Sequence, residues 1–231
     1  MSLTIILLKL SGQACASGDL IRSLARQIKA LSSTHLFGVV VGGGNFFRGS
    51  RDGKQLGMTT QASHQTGMLA TMVNGLIIDD LWTQEGVATH LLCAIDCPVA
   101  GDPIEHRKIR NALDNNTCII FTGGTGNPYF TTDTNAVIRA LQINAHELWK
   151  ITLVDGIYDK DPAIYSDARF LPQVDYRYAL DHNLGIVDAT ALVMAQEHEL
   201  PIRVFSMNEP DALLQAATNV QFGSILTHKE L

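Results

Sequence analysis

Four stretches of this chain gather the residue types that handle anions. "LLKLSG" (7–12) sets Lys9 between Leu8 and Leu10 and follows it with Ser11 and Gly12; "VVVGGGNFFRG" (39–49) carries Gly43, Gly44 and Arg48. "TGGTGNPYFTTD" (122–133) is rich in glycine and hydroxyls and ends on Asp133, at the head of an apolar, helix-like stretch. "KITLVDGIYDKDP" (150–162) brings Lys150, Thr152, Tyr158 and Asp161. Glycine at a strand-to-helix turn lets backbone N–H groups approach phosphate oxygens, and the helix that follows adds a favourable dipole. Each loop also has a plainer reading: a glycine turn can be only a turn, Asp133 only an N-cap, Arg48 only a solvated surface charge. Lys9 is the exception, because an ammonium flanked by leucines at the end of a strand needs an anionic partner.

The elements that would carry these loops are legible from periodicity. Short apolar runs at 3–10, 37–42, 89–95, 117–124, 148–156, 202–207 and 224–227 read as strands. Between them, "DLIRSLARQIKAL" has the spacing of one helix face, and 67–82, apolar nearly all round, reads as a helix buried between layers. Continuous apolar strands alternating with helices predict a three-layer α/β/α sandwich on a mostly parallel, Rossmann-like sheet. Residues 160–187, with Pro162 and Pro172, are expected to be less regular. With 231 residues, no internal repeat and no linker, a single domain over 1–231 is expected. In such sheets ligands sit beyond the carboxyl ends of the strands, where these four loops fall.

Composition narrows the function classes. Apolar residues make up 46% and charged residues 17%, as in a globular chain, and 17 Lys+Arg against 23 Asp+Glu give a net charge of −6. That balance offers no global field for nucleic acid or an anionic membrane, so an anionic ligand must be held locally. "MSLTIILLKLSG" lacks a signal-peptide pattern, no stretch approaches a membrane span, and the terminal "HKEL" has no meaning as a retention address without a signal. Cys15, Cys93, Cys97 and Cys118 lie in apolar segments at the wrong spacing for a zinc or redox pair, which favours buried, reduced thiols in a cytoplasm. "GSRDGKQ" (49–55) is one residue short of a Walker A loop and has Gln where a magnesium-binding hydroxyl belongs.

Taken together, "LLKLSG", "VVVGGGNFFRG", "GMLATMVNGL", "GGTGNPYFTTDTNAVIRAL", "VDGIYDKDP" and "LPIRVFSMN" resemble the amino acid kinase superfamily and, within it, the bacterial uridine monophosphate kinases, over nearly the whole chain. The "TGNPYFTTD" stretch is the most specific to that branch. This resemblance implies a homohexamer that transfers the ATP γ-phosphoryl to UMP, with Mg2+ carried mainly by ATP. It divides the chain into an acceptor-binding part, about 1–145, and an ATP-binding part, about 146–231. Lys9 and Asp133 would be catalytic, Asp133 orienting Lys9 and helping to hold magnesium. ATP would meet Lys9, Leu10, Ser11, Gly12, Gly44, Arg48, Thr152, Tyr158 and Asp161. UMP would meet Gly43, His64, and the run Thr125, Gly126, Asn127, Pro128, Tyr129, Phe130, Thr131 and Thr132. Lys150 and Asp188 also match family positions, with their roles left open.

Four departures from the family pattern stand out. His64 replaces an aspartate expected to bond the UMP ribose, and Thr59 and Thr60 stand where an arginine is common. Gln13 replaces a glutamate in a shortened loop, and Leu153 a lysine; weak or absent activation by GTP is expected, and a clear rate increase on adding GTP would contradict it. The changes at His64 and Thr60 open one alternative, another small acceptor such as CMP; a second, from a different class, is a divergent nucleotide-binding oligomeric regulator without turnover.

Overall fold

The structure, a computed structural model, describes residues 3–228; residues 229–231 of the terminal "HKEL" lie outside them. In chain order the elements are β1 Thr4–Leu10, α1 Gly18–Leu31, β2 His35–Val41, α2 Thr60–Gln84, β3 Thr89–Cys93, β4 Asp102–Pro103, α3 His106–Asp114, β5 Cys118–Thr122 and α4 Thr132–Gln142. There follow β6 Glu147–Thr152, β7 Ile157–Tyr158, β8 Phe170–Leu171, β9 Gln173–Asp175, α5 Tyr176–Asp181, α6 Ala189–Glu197, β10 Ile202–Ser206, α7 Ala212–Thr218 and β11 Ser224–Thr227. Nine strands form one sheet in the order β4-β3-β5-β2-β1-β6-β10-β11-β9, parallel at every pairing except β10 with β11. The pair β7 and β8 forms a separate antiparallel ribbon within the stretch expected to be irregular.

Two apolar layers sandwich the sheet, as the alternation of strand side chains requires. Leu7, Val40, Phe121 and Leu148 face one way, against Ala136, Val137 and Ala140 of α4 and Ala191 and Leu192 of α6. Ile6, Leu8, Leu10, Val39 and Trp149 face the other way, against α1, α2 and α7. The same alternation decides where the lysines go. Lys9 shares a face with Leu7, and Lys150 with Leu148; β1 pairs with β6 so that Lys9 lies opposite Lys150. Both ammonium groups are therefore delivered, side by side, to the face covered by α4, at the carboxyl end of the sheet.

Helix α2 departs from expectation. It begins at Thr60, capped by the Thr59 hydroxyl accepting from the Ala62 amide, seven residues before the apolar pattern does. Nor is it buried all round: Ile78 and Trp82 are in the core, but Leu69, Val73 and Leu76 are exposed at 52%, 45% and 38%. An all-round apolar helix thus buries one side and leaves a stripe of three large side chains in solvent. The thiols differ in the same way: Cys93 and Cys118 are buried, whereas Cys15 and Cys97 are only half-buried, and all four are free.

Candidate active site

Asp133 sits in the first turn of α4, directly above the two lysines. Its Oδ1 is 2.7 Å from Lys9 Nζ and its Oδ2 is 2.8 Å from Lys150 Nζ. The anion that Lys9 needed is therefore Asp133, shared with a second lysine. Thr131 caps α4, its hydroxyl oxygen accepting from the amides of Asp133 and Thr134, and it donates in turn to Asp188. Asp188 caps α6 through the Ala191 amide and also accepts from the Thr134 hydroxyl, so it ties the two helices together. Lys150 donates to the Ile186 carbonyl as well.

The charges of this cluster are strongly coupled. Burial alone would raise the Asp133 carboxyl, but the ammonium groups of Lys9 and Lys150 outweigh it and hold the group below the ordinary carboxylate range. For Lys150 burial prevails over the attraction of Asp133, and its ammonium is held below the usual lysine value. Lys9 and Lys150 share Asp133, and Asp188 lies close enough to act on Lys150, so the two ammonium groups are largely balanced by carboxylates, and the N-terminal end of α4 adds the positive end of its dipole. An anion placed against the cluster meets two ammonium groups and the N-terminal end of a helix.

A cavity opens on each side of it. One, of about 790 Å³, is lined by Lys9, Ser11, Gly12, Gly43, Gly44, Arg48, His64, Phe130, Thr131 and Thr132, together with Lys54, Ser63, Met68 and Thr71. The other, of about 490 Å³, is lined by Lys150, Thr152, Tyr158, Lys160 and Asp161, with an apolar wall of Ile157, Pro162, Leu184, Ile186 and Val204. Asp133 stands between them, with Lys9 facing one and Lys150 the other. Tyr158 packs edge-on against Phe170 of the β7–β8 ribbon, with ring centroids 5.6 Å apart.

The first cavity is held open by tight backbone packing. A side chain at position 12 would meet Asn45 Oδ1 at 2.5 Å and Gly44 N at 2.9 Å, so only glycine fits there. Asn74, fully buried on α2, donates to the Gly42 carbonyl at 2.7 Å and exchanges bonds with the Asn45 side chain. The Thr71 hydroxyl accepts from the Gly123 amide, fixing the start of a turn in which Gly123, Gly124 and Gly126 all have left-handed backbones.

Not every expected residue reaches a cavity. Leu10 is fully buried in the core, and its carbonyl accepts from Gly42 N. Thr125 and Asn127 bond one another within their own turn, and Tyr129 is 65% exposed; of residues 125–132, Phe130, Thr131 and Thr132 line the cavity. Arg48 lines the cavity of Lys9 and His64, not that of Tyr158 and Asp161, and its Nε donates to the Gly44 carbonyl. Lys54 escaped the sequence reading because "GSRDGKQ" was weighed only against a P-loop. Asn74 left a usable signal, a polar residue beside Gly75 in an apolar helix. The lining at 183–186 left none.

The model of the amino acid kinase family matches residues 4–206. The chain belongs to the amino acid kinase family. It is 40% identical to a protein named uridylate kinase from Psychrobacter cryohalolentis, over 96% of each chain. Its fold superposes on the crystal structure of UMP kinase from Ureaplasma parvum with a TM-score of 0.91 at 33% identity, covering 98% of this chain and all of that one. UMP kinase from Bacillus anthracis gives a TM-score of 0.93 at 25% identity, covering 100% and 98%. These matches agree with the α/β/α architecture and its mostly parallel sheet.

Proposed function

We propose that this protein transfers the γ-phosphoryl group of ATP to UMP, giving ADP and UDP. The observation that carries the reading is the Lys9–Asp133–Lys150 cluster with a separate cavity on either side. The names of the relatives support the acceptor. UMP occupies the cavity of Gly43, His64 and Thr131, its phosphate toward Lys9 and Arg48. ATP occupies the cavity of Thr152, Tyr158 and Asp161, its base against the apolar wall and its phosphates toward Lys150 and Lys9. An oxygen of the UMP phosphate bonds to the γ-phosphorus as the bond from that phosphorus to the bridging β-phosphate oxygen breaks. Such a transfer asks the protein for positioning and charge neutralisation, which two lysines fixed by one carboxylate supply.

Magnesium enters this reading as MgATP, a substrate. Both oxygens of Asp133 already face ammonium groups, and the described residues contain no group of three or more His, Cys, Asp or Glu that could hold a metal ion. The residues present therefore do not fit a resident metal, and Asp133 serves the lysines.

Every lining residue of the first cavity precedes position 133 and every one of the second follows 149, which supports a single domain with an acceptor part, about 1–145, and a donor part, about 146–231. Homo-oligomers, hexamers among them, fit the exposed Leu69, Val73 and Leu76, which are spaced four and three apart on one face of α2. Four free thiols favour the cytoplasm, and among the described residues no helix is long and apolar enough to cross a membrane. The test is ADP release with MgATP across UMP, CMP, dUMP and no acceptor. A UMP-dependent rate is expected; no acceptor-dependent release, in protein whose thermal midpoint still rises with UMP, would overturn the reading.

A further inference from the structure

His64 and Tyr129 meet across 65 residues of sequence. The Tyr129 amide donates to His64 Nδ1 at 3.2 Å, and the two rings lie 5.4 Å apart. Tyr129 has a φ of +74°, a left-handed backbone that a bulky side chain rarely adopts without support from its surroundings. That support comes from outside its own loop, near the start of α2.

The bond also decides how His64 presents itself to a ligand. An amide donor requires a bare ring nitrogen, so the neutral imidazole carries its proton on Nε2. His64 lines the acceptor cavity beside Lys9, Arg48 and Lys54, and no carboxylate is among the lining residues. The one ring nitrogen that could have accepted from a ligand hydroxyl is engaged by the protein.

We infer that His64 is a positioning residue of the acceptor site: its Nδ1 fixes the Tyr129 backbone and thereby the placement of Phe130, Thr131 and Thr132 on the cavity wall. It does not accept a hydrogen bond from the acceptor. The inference rests on the kinase reading for its kinetic consequence only, since the bond itself belongs to the ligand-free protein.

Two amide substitutions separate the ring nitrogens, because the Asn side-chain oxygen reaches about as far as Nδ1 and the Gln side-chain amide about as far as Nε2. His64→Ala and His64→Gln should each raise the KM for UMP roughly fivefold, the loss of about one hydrogen bond. His64→Asn should raise it less than about twofold, and kcat and the KM for MgATP should move little in all three. Amide hydrogen exchange at Tyr129, without ligand, should quicken in the Ala and Gln proteins and stay slow in the Asn protein, with protected β1 amides reporting that each is folded. Gln preserving KM while Asn loses it, or exchange at Tyr129 unchanged throughout, would overturn the inference. If UMP is no substrate at all, exchange still decides the role of His64, while the ADP-release panel decides the kinase.

Discussion

The two cavities are built differently. The acceptor side is stitched by bonds between distant segments: Asn74 to the Gly42 carbonyl across 32 residues, Thr71 to the Gly123 amide across 52, His64 to the Tyr129 amide across 65. The donor side is mixed: its base is tied across the fold by Ile157 N to Ser224 Oγ across 67 residues and Lys150 to the Ile186 carbonyl across 36, but its loops are held by short-range bonds, Thr152 to Val154, Tyr158 to Asp155, Asp161 to Ala163, and Lys160 to Asp167. Large apolar side chains stand exposed along the donor loops, among them Leu153, Ile164 and Tyr165. Bonds between distant segments form only when the whole fold forms, so the acceptor wall opens only with the elements it joins, whereas the local turns of the donor loops can open singly. The contrast suits a site that must place a small acceptor closely and let a larger nucleotide enter and leave.

That contrast can be broken at its shared boundary first. Lys9→Ala should lower kcat by about 10²- to 10³-fold, the scale of losing one charge-stabilising contact in a transition state. The KM for UMP should change far less. Equal losses in kcat and in affinity, measured by steady-state kinetics, would reduce Lys9 to a binding residue.

On the acceptor side, Asn74→Ala leaves the Gly42 carbonyl and the Asn45 amide without their buried partner. Denaturant unfolding should show a loss of about 2–3 kcal/mol, and the KM for UMP should rise with it. A loss confined to stability, with KM unmoved, would mean that the glycine loop holds its shape without this bond.

At the cluster itself the sign with pH is determined. The Asp133 carboxyl lies below its unfolded value of 3.8, so the stability it contributes is fully present above about pH 4 and is lost as pH falls through the lower folded value. The stability gap between the native protein and Asp133→Asn should therefore be widest near neutrality and should narrow in acid. A gap that widened below pH 4 would contradict the ion pairs.

The smallest effect belongs to the donor loops. Tyr158→Phe removes one exposed bond to Asp155 and should leave the thermal midpoint in place and change the KM for ATP by less than about threefold. A loss as large as that of Asn74→Ala would erase the distinction between the two sides.

Much of this was legible in residue types. Periodicity located the main strands and the helix of 18–31, because an apolar run bounded by glycine leaves few alternatives to a buried strand. Lys9 was legible because a lysine between two leucines calls for an anion. The length of α2 was less so: its first two turns, "TQASHQ", are polar, and only the Thr59 cap and tertiary packing make them helical. That the Leu10 side chain lies in the core was not legible, because adjacency in sequence says nothing about which face of the sheet a side chain takes once register is set.

By itself, the sequence determined an alternation of apolar strands with helices, glycine-rich turns at the strand ends, and the lysines and carboxylate suited to an anionic ligand. Those are local properties, decided by side-chain type and by the conformational freedom of glycine. Only the tertiary structure decided that Lys9 and Lys150 stand in register under one carboxylate, that the cluster divides two cavities, and that His64 spends its bare nitrogen on Tyr129. The reason is physical: strand register and long-range hydrogen bonds join segments up to 186 residues apart, as the bond from the Leu213 amide to Gln27 does, and such pairings are fixed by packing of the whole fold rather than by any local pattern.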